Sequence, residues 1–292
     1  MPGYDVPYIG WIALVPLLLV LLTAEEKLIF PLSLPFGIIF SMGVHNWYPN
    51  IFPPALGYFL IFAVGAFYPN MLLLGIWLSR RFSGALSLLA IPLAWSAIEF
   101  VKYIVPVVED WWFVLLASSA WRFPAALQIL GVAGVFGLSF LVMMVNTAIA
   151  MLLLVWKQDH KLARLAMAAL LAAALIVGIG GLSLPKAKNS FRVAVLTDMV
   201  YQLPQMRGLG NFAGLLEKKP GLSQALFEND AELTRQVAQE KPAFVVWSEN
   251  GFADMSDQTS MAALGGLAAE TGANIVVDVN WMTNNANTTR LC

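Results

Sequence analysis

The sequence predicts a polytopic α-helical membrane bundle followed by a truncated α/β domain. Three observations point there. Charged residues make up 12% of the 292 positions and hydrophobic ones 59%, whereas a soluble domain carries about 25% charge. The charge is uneven: residues 1–185 hold 15 Asp, Glu, Lys and Arg, and residues 186–292 hold 20. The apolar residues of the first part also gather into stretches close to the ~20 that a helix needs to cross a bilayer core. The boundary falls at Leu184-Pro185-Lys186, where proline stops a helix and Lys186, Lys188 and Arg192 bring charge back. The expected domains are residues 1–188 and 189–292.

Six stretches qualify as spans. Residues 8–23 are the first and are short. Residues 28–47 follow, with Pro31 and Pro35 near their start. Residues 55–78 are interrupted by Tyr68-Pro69-Asn70. Residues 84–105, 128–156 and 165–184 complete the set, the fifth being the longest. Residues 111–121 are apolar but too short to span, which suits a re-entrant or interfacial loop. Eight of the ten Trp lie in this part, several near helix ends, where interfacial belts form.

Basic residues orient the bundle. Loops after the first, third and fifth stretches carry Lys27, then Arg80 and Arg81, then Lys157, Lys161 and Arg164. Loops after the second and fourth carry only Arg122, with Lys102 near the end of the fourth. The first set is expected on the cytoplasmic side, and six crossings leave both ends outside it. No basic residue precedes the first apolar run, so it does not read as a signal peptide.

The second part alternates strands and helices. Residues 191–197 are a β-branched strand candidate. Residues 222–240 space Leu222, Leu226, Leu233 and Val237 as a helix does. Residues 243–247 read as a buried strand. Residues 257–271 read as a helix with Met261, Leu264 and Ala268 on one face and Gly272 as its stop. Residues 274–280 are a third strand. Such alternation predicts a sheet covered by helices, here without a closing helix.

Composition narrows the chemistry. A net charge of −1 gives no basic field for nucleic acid. The one cysteine, Cys292, excludes an intrachain disulfide and a Cys-based zinc site. His45 and His160 are the only histidines, too few for a His-rich metal centre. Glu249 lies just past a buried strand, where open α/β sheets place ligands, and a carboxylate there can serve as a general base. A helix-capping or solvated role is the plainer alternative. Glu99 and Lys102 share one face of the fourth stretch; intramembrane ionisable residues mark function, or form an internal ion pair with Lys102 snorkelling outward. Gly208-Leu209-Gly210-Asn211-Phe212-Ala213 has nucleotide-loop glycines but neither the preceding strand nor the following helix. Asn287-Thr288-Thr289 is a sequon of a commonplace kind.

Several segments, taken in order, resemble one family. They are Gly10-Trp11-Ile12-Ala13-Leu14-Val15-Pro16, Gly43-Val44-His45-Asn46-Trp47, Ala94-Trp95-Ser96-Ala97-Ile98-Glu99-Phe100-Val101-Lys102, and Gly131-Val132-Ala133-Gly134-Val135-Phe136-Gly137. Arg192-Val193-Ala194-Val195-Leu196 and Val245-Val246-Trp247-Ser248-Glu249 continue the series. Together they resemble apolipoprotein N-acyltransferase, a bacterial inner-membrane enzyme with a nitrilase-like domain of αββα sandwich fold. Ser248 stands where the family usually has proline, Thr197-Asp198-Met199 replaces a Gln-Gly-Asn-like turn, and of a Gly-Phe-Pro-Trp loop only the final Trp persists near Trp111 and Trp112.

The resemblance implies a periplasmic catalytic domain, a phospholipid acyl donor and no metal or organic cofactor. It also implies a diacylated apolipoprotein acceptor and a Cys thioester intermediate, formed and discharged by ping-pong kinetics. It implies Glu249 as the base of a Glu-Lys-Cys triad, with Trp247, Trp111 and Trp112 beside substrate and residues 111–123 at the mouth for acyl chains. The family's first helix would precede Pro2, and its Lys and Cys would follow Glu249 at distances the chain does not reach. An internal, inactive fragment is therefore expected. A membrane-anchored nitrilase-type amidase would share Glu249, and a transporter with an accessory domain would make use of Glu99. The basic-residue asymmetry carries a test: a periplasm-dependent reporter fused after Lys188 should be active. Activity of a cytoplasm-dependent reporter there would reverse the orientation or change the helix count.

Overall fold

The computed structural model describes residues 8–105, 115–184, 191–196, 222–247, 253–254, 258–283 and 286–291. Two compact units emerge, Met1–Pro49 with Pro54–Lys186, and Asn50–Pro53 with Ala187–Cys292. The first unit is helical: α1 (Val15–Thr23), α2 (Glu26–Val44), α3 (Tyr48–Ile51), α4 (Pro54–Arg81), α5 (Ala85–Ile104), α6 (Pro124–Leu127), α7 (Leu130–Val155) and α8 (His160–Leu182). Single 3-10 turns sit at Ile9–Trp11 and Leu116–Ala120.

Among the described residues, five helices are long and apolar enough to cross a membrane: α2, α4, α5, α7 and α8. The first expected span is the exception. Its α-helical part, α1, has 9 residues and extends about 14 Å at 1.5 Å per residue, half of a ~30 Å core. The third expected span proves continuous, because Pro69 lies inside the 28-residue α4. The fifth is broken at Gly134 (φ 65°), which leaves residues 135–155 as the straight part, about 31 Å long.

Glycines decide how closely these helices approach. Pro69 has no N–H, so the Gly65 carbonyl one turn earlier loses its usual donor. That carbonyl instead packs on Gly37 of α2, where any Cβ would collide with it. A carbonyl against a bare Cα suits a weak Cα–H···O contact. Beside it, Ser41 Oγ donates to the Ile61 carbonyl at 2.8 Å. Between α4 and α5, Gly75 lies on Ile91, and Ser79 and Ser87 each donate a hydroxyl to the other's carbonyl at 2.9 Å. Lipid tails are as apolar as leucine, so close packing of this kind is what holds membrane helices together.

The second unit contains β1 (Val193–Val195), α9 (Leu222–Ala238), β2 (Phe244–Val246), β3 (Ala253–Asp254), α10 (Gln258–Thr271), β4 (Asn274–Val276), β5 (Asp278–Thr283) and β6 (Ala286–Leu291). β1, β2 and β4 form a parallel sheet with β2 central. β3 pairs parallel to β5, and β5 antiparallel to β6, in a second three-stranded sheet. The expected third strand is thus split into β4 and β5, and β6 is an element that sequence periodicity does not reveal. Gly272 ends α10 at φ 65°, the left-handed C-cap that glycine permits. The buried face of α10 is Leu264 and Leu267, with Met261 exposed, so the expected face is rotated slightly.

Gly37 offers a direct check. Gly37→Val should separate α2 from α4 and destabilise the bundle by about 1–3 kcal/mol, the usual cost of overpacking. Gly43, six residues along α2, has no neighbour near its absent Cβ, and Gly43→Ala should be tolerated. Thermal unfolding in detergent reads both; an unchanged midpoint for Gly37→Val would refute the close approach.

Candidate functional site

In the first unit the polar side chains converge on the segment between α5 and α7. Leu116 and Ala117 open a 3-10 turn, and their N–H groups have no partner within it, as at any helix start. Two spanning helices supply acceptors. Glu99 of α5 accepts from Leu116 N at 2.8 Å and from Trp95 Nε1 at 2.9 Å, both on Oε1. Ser139 Oγ of α7 accepts from Ala117 N at 3.0 Å. The turn is thereby held inside the bundle, with Ala117, Ala120 and Ala126 buried against Leu138 and Val142. Phe123 meets Tyr8 and Trp11 edge-on, at 5.4 and 6.0 Å between ring centres. Gly180, near the end of α8, takes the Ala125 carbonyl where a Cβ would clash. Residues 115–127 therefore form a packed, embedded turn, and the Ala125–Gly180 contact puts it at the bundle end where α8 finishes.

Glu99 is 1% exposed and Lys102 7%. Lys102 does not snorkel outward: its ammonium lies 6.0 Å from the centre of the Tyr68 ring, which in turn stacks on Trp95 at 6.3 Å. Tyr68, Trp95, Glu99 and Lys102 thus form one buried group between α4 and α5. The carboxylate is engaged by the indole and the turn, so its place in the bundle is that of an anchor.

Asn146 of α7 works in the same way on the chain's beginning. Its Oδ1 accepts from Leu14 N and its Nδ2 donates to the carbonyls of Gly10 and Val142, each at 2.9 Å. This amide stitches the non-helical link before α1 to the core of the bundle. Nothing in the hydropathy pattern singles it out, since an Asn inside a long apolar helix reads as an isolated polar residue.

In the second unit, β2 is the central strand and ends at Trp247. Trp247 is buried, its backbone N–H donates to the Val276 carbonyl at 2.9 Å, and its Nε1 donates to Thr234 Oγ1 at 3.0 Å. Phe227 meets the indole edge-on at 5.8 Å. This explains why Thr234 and Ala231 lie on the inner face of α9: the indole N–H requires an acceptor once water is excluded. Val245, Leu264 and Leu267 complete that core. The other face of the sheet shows Val193, Val195 and Phe244, respectively 46%, 67% and 39% exposed. An Arg235–Glu270 pair, at 2.8 and 3.2 Å, ties α9 to α10; its hydrogen bonds draw the Glu270 carboxyl below its ordinary value.

Glu249, Trp111, Trp112, Cys292 and the residues 208–213 loop lie outside the described residues. Among the described residues, no group of three His, Cys, Asp or Glu side chains is placed to hold a metal ion.

The turn invites a pair of substitutions. Glu99→Gln retains an oxygen for Trp95 and Leu116, whereas Glu99→Leu leaves both donors buried without one, at about 1–3 kcal/mol for an unsatisfied group. Hydrogen exchange at Leu116 and Ala117 should stay slow in the first and accelerate in the second. Equal exchange in both variants would remove Glu99 as the anchor.

The comparisons agree with a membrane enzyme domain. The model of the apolipoprotein N-acyltransferase N-terminal domain matches residues 1–148. No curated protein matches the chain.

Proposed function

Because the chain belongs to the apolipoprotein N-acyltransferase family, an acyltransferase family, we propose that it serves the phospholipid-dependent N-acylation of the N-terminal diacylglyceryl-cysteine of apolipoproteins, the last step of lipoprotein maturation. The match over residues 1–148 carries this reading. On it, residues 1–188 are the membrane bundle and residues 189–292 the N-terminal portion of a nitrilase-like domain on the periplasmic side of a bacterial inner membrane.

The chemistry requires a cysteine thiolate that attacks a phospholipid ester carbonyl. The carbon–oxygen bond breaks, lysophospholipid leaves with a proton, and the acyl group remains as a thioester. The α-amine of the acceptor then attacks that thioester, forming the amide and returning the thiol. Glu249 accepts the proton from the thiol and later from the amine, a role worth about 10²–10⁴-fold in rate for a general base. Residues 250–291 contain neither Lys nor Cys. The oxyanion-stabilising lysine and the nucleophile are therefore parts that this stretch does not supply, and on this reading the 292-residue chain alone is inactive.

Two features support the arrangement. The embedded turn at residues 115–127 follows the Trp111 and Trp112 segment, which on this reading guides acyl chains. Trp247, expected beside substrate, has its ring buried beneath α9 and on this reading serves the site by holding the strand that leads to Glu249. The exposed apolar sheet face of Val193, Val195 and Phe244 is the kind of surface that the second layer of an αββα sandwich covers. Glu99, the residue that would favour a transporter, is occupied by Trp95 and Leu116, and acyl transfer is the reading retained over an anchored amidase.

The decisive substitution is Glu249→Gln, made in a protein that also carries the cysteine and lysine, with thioester formation and amine transfer followed separately. Both steps should fall by about 10²–10⁴-fold, while Asp254→Asn costs little. Near-normal rates for Glu249→Gln at unchanged protein levels would remove the central residue of the proposal. The 292-residue chain, incubated with phospholipid and a diacylated lipopeptide, should give no triacylated product by mass.

A further inference from the structure

At the opposite end of the bundle the turn between α7 and α8 concentrates cations. Lys157, Lys161 and Arg164 stand within eight residues together with His160, against one carboxylate, Asp159. Asp159 is already committed, since Oδ1 accepts from the N–H groups of Lys161 and Leu162 at 3.0 Å. Other cations at this end are engaged by the protein. Arg80 donates to the Leu21 and Ala24 carbonyls that close α1, Arg81 lies over Trp77 at 4.9 Å, and Lys27 pairs with Glu25 at 2.8 Å. Among the described residues, Lys157, Lys161 and Arg164 form no ion pair. Arg164 Nε donates to the His160 carbonyl at 3.2 Å, which uses one of the five guanidinium donors.

One of these cations, Arg164, borders a hollow. Trp156, His160, Ala163, Arg164 and Met167 line a half-open cavity of about 370 Å³. The last four residues follow helical spacing on one face of α8, with Ala163 buried as the floor. The same face continues along the helix as Met167, Leu171 and Leu175, which are 38%, 60% and 66% exposed. From Arg164 to Leu175 the rise is about 16 Å, half the thickness of a ~30 Å hydrocarbon core. The helix thus presents an apolar cup edged by Arg164 at this end of the bundle and, directly below it, an apolar track one leaflet deep. We infer that this face of α8 binds an anionic phospholipid, its phosphate at Arg164 and His160 and one acyl chain along Met167, Leu171 and Leu175.

Charge and shape select this occupant. Juxtamembrane Lys and Arg attract anionic lipid, and the indole of Trp156 suits the headgroup level. A second copy of the chain pairing this face about a two-fold axis along the membrane normal would set Arg164 against the same cation. The backbone amides at the start of α8 are taken by Asp159, so the contacts fall to side chains, and substitution can test them. The site lies at the end of the bundle away from the embedded turn, and so is distinct from an acyl-donor site near residues 111–123.

The test is native mass spectrometry of the 292-residue chain released from detergent containing phosphatidylglycerol and phosphatidylcholine of matched chains. One phosphatidylglycerol per chain should be retained in preference. Arg164→Gln, an exposed change, should lower that retention about fivefold, as expected for one surface cation, with an unaltered melting midpoint. Ala163→Phe, which fills the cavity, should lower it with all charges kept. Lys27→Gln should leave it unchanged, and free glycerol phosphate should not compete, because it lacks the chain that the track holds. Equal retention of the two lipids would overturn the inference, as would equal losses for Arg164→Gln and Lys27→Gln, full competition by glycerol phosphate, or a dimer that Arg164→Gln or Ala163→Phe disrupts.

Discussion

Backbone N–H and C=O groups have no water to turn to inside a bilayer, and every break in a helix must therefore find a protein partner. The first unit has such breaks on either side of α1, between α5 and α7, and wherever proline removes a donor. Those around α1 and after α5 are met by polar side chains from spanning helices, while the carbonyl that Pro69 leaves open packs on Gly37. Asn146 serves the link before α1, Arg80 its end, and Glu99 with Ser139 the turn after α5. Several of the few polar residues of the bundle are thus spent on irregular backbone, while Ser41, Ser79 and Ser87 join helix to helix.

That economy explains how an irregular turn can persist inside an apolar bundle. Residues 115–127 are too short to span, and a lipid-exposed turn of this kind would strand its N–H groups at several kcal/mol each. Instead the turn lies among α7, α8 and the chain's beginning, covered by Trp11 and Phe123. Burying the carboxyl group of Glu99 carries a desolvation cost of its own. Its two hydrogen bonds, from Trp95 and Leu116, offset part of it, and a rigid turn is the return. A rigid border beside the Trp111 and Trp112 segment is what the proposed acyl-chain entrance needs.

In the second unit the organising contact is different in kind. Trp247 closes β2 and buries its ring beneath α9, with Thr234 receiving its N–H. This locks helix to sheet and fixes where β2 ends. Glu249 follows two positions later in the sequence, so the proposed base is attached to the most constrained strand of the sheet. The opposite sheet face keeps Val193, Val195 and Phe244 outward.

Much of this architecture was legible from hydropathy alone. Length and apolarity mark α2, α4, α5, α7 and α8, because a bilayer imposes a fixed thickness on anything that crosses it. The parallel β1-β2-β4 strands and both covering helices were legible too, from buried β-branched runs alternating with 3.6-residue periodicity. Other features depended on neighbours distant in sequence. The continuity of α4 through Pro69 was decided by Gly37 of another helix, which gives the orphaned carbonyl a place to pack. The inner face of α9 was decided by Trp247, whose indole drew Thr234 inward against the hydrophobic count. β6 was decided by pairing with β5, and alternation in a polar stretch such as Asn287-Thr288-Thr289 carries no apolar signal. Glu99 stood out in the sequence as a buried charge, but only the tertiary arrangement made it an anchor, because the backbone groups it satisfies lie 17 residues away and are brought to it by the packing of α5 against α7.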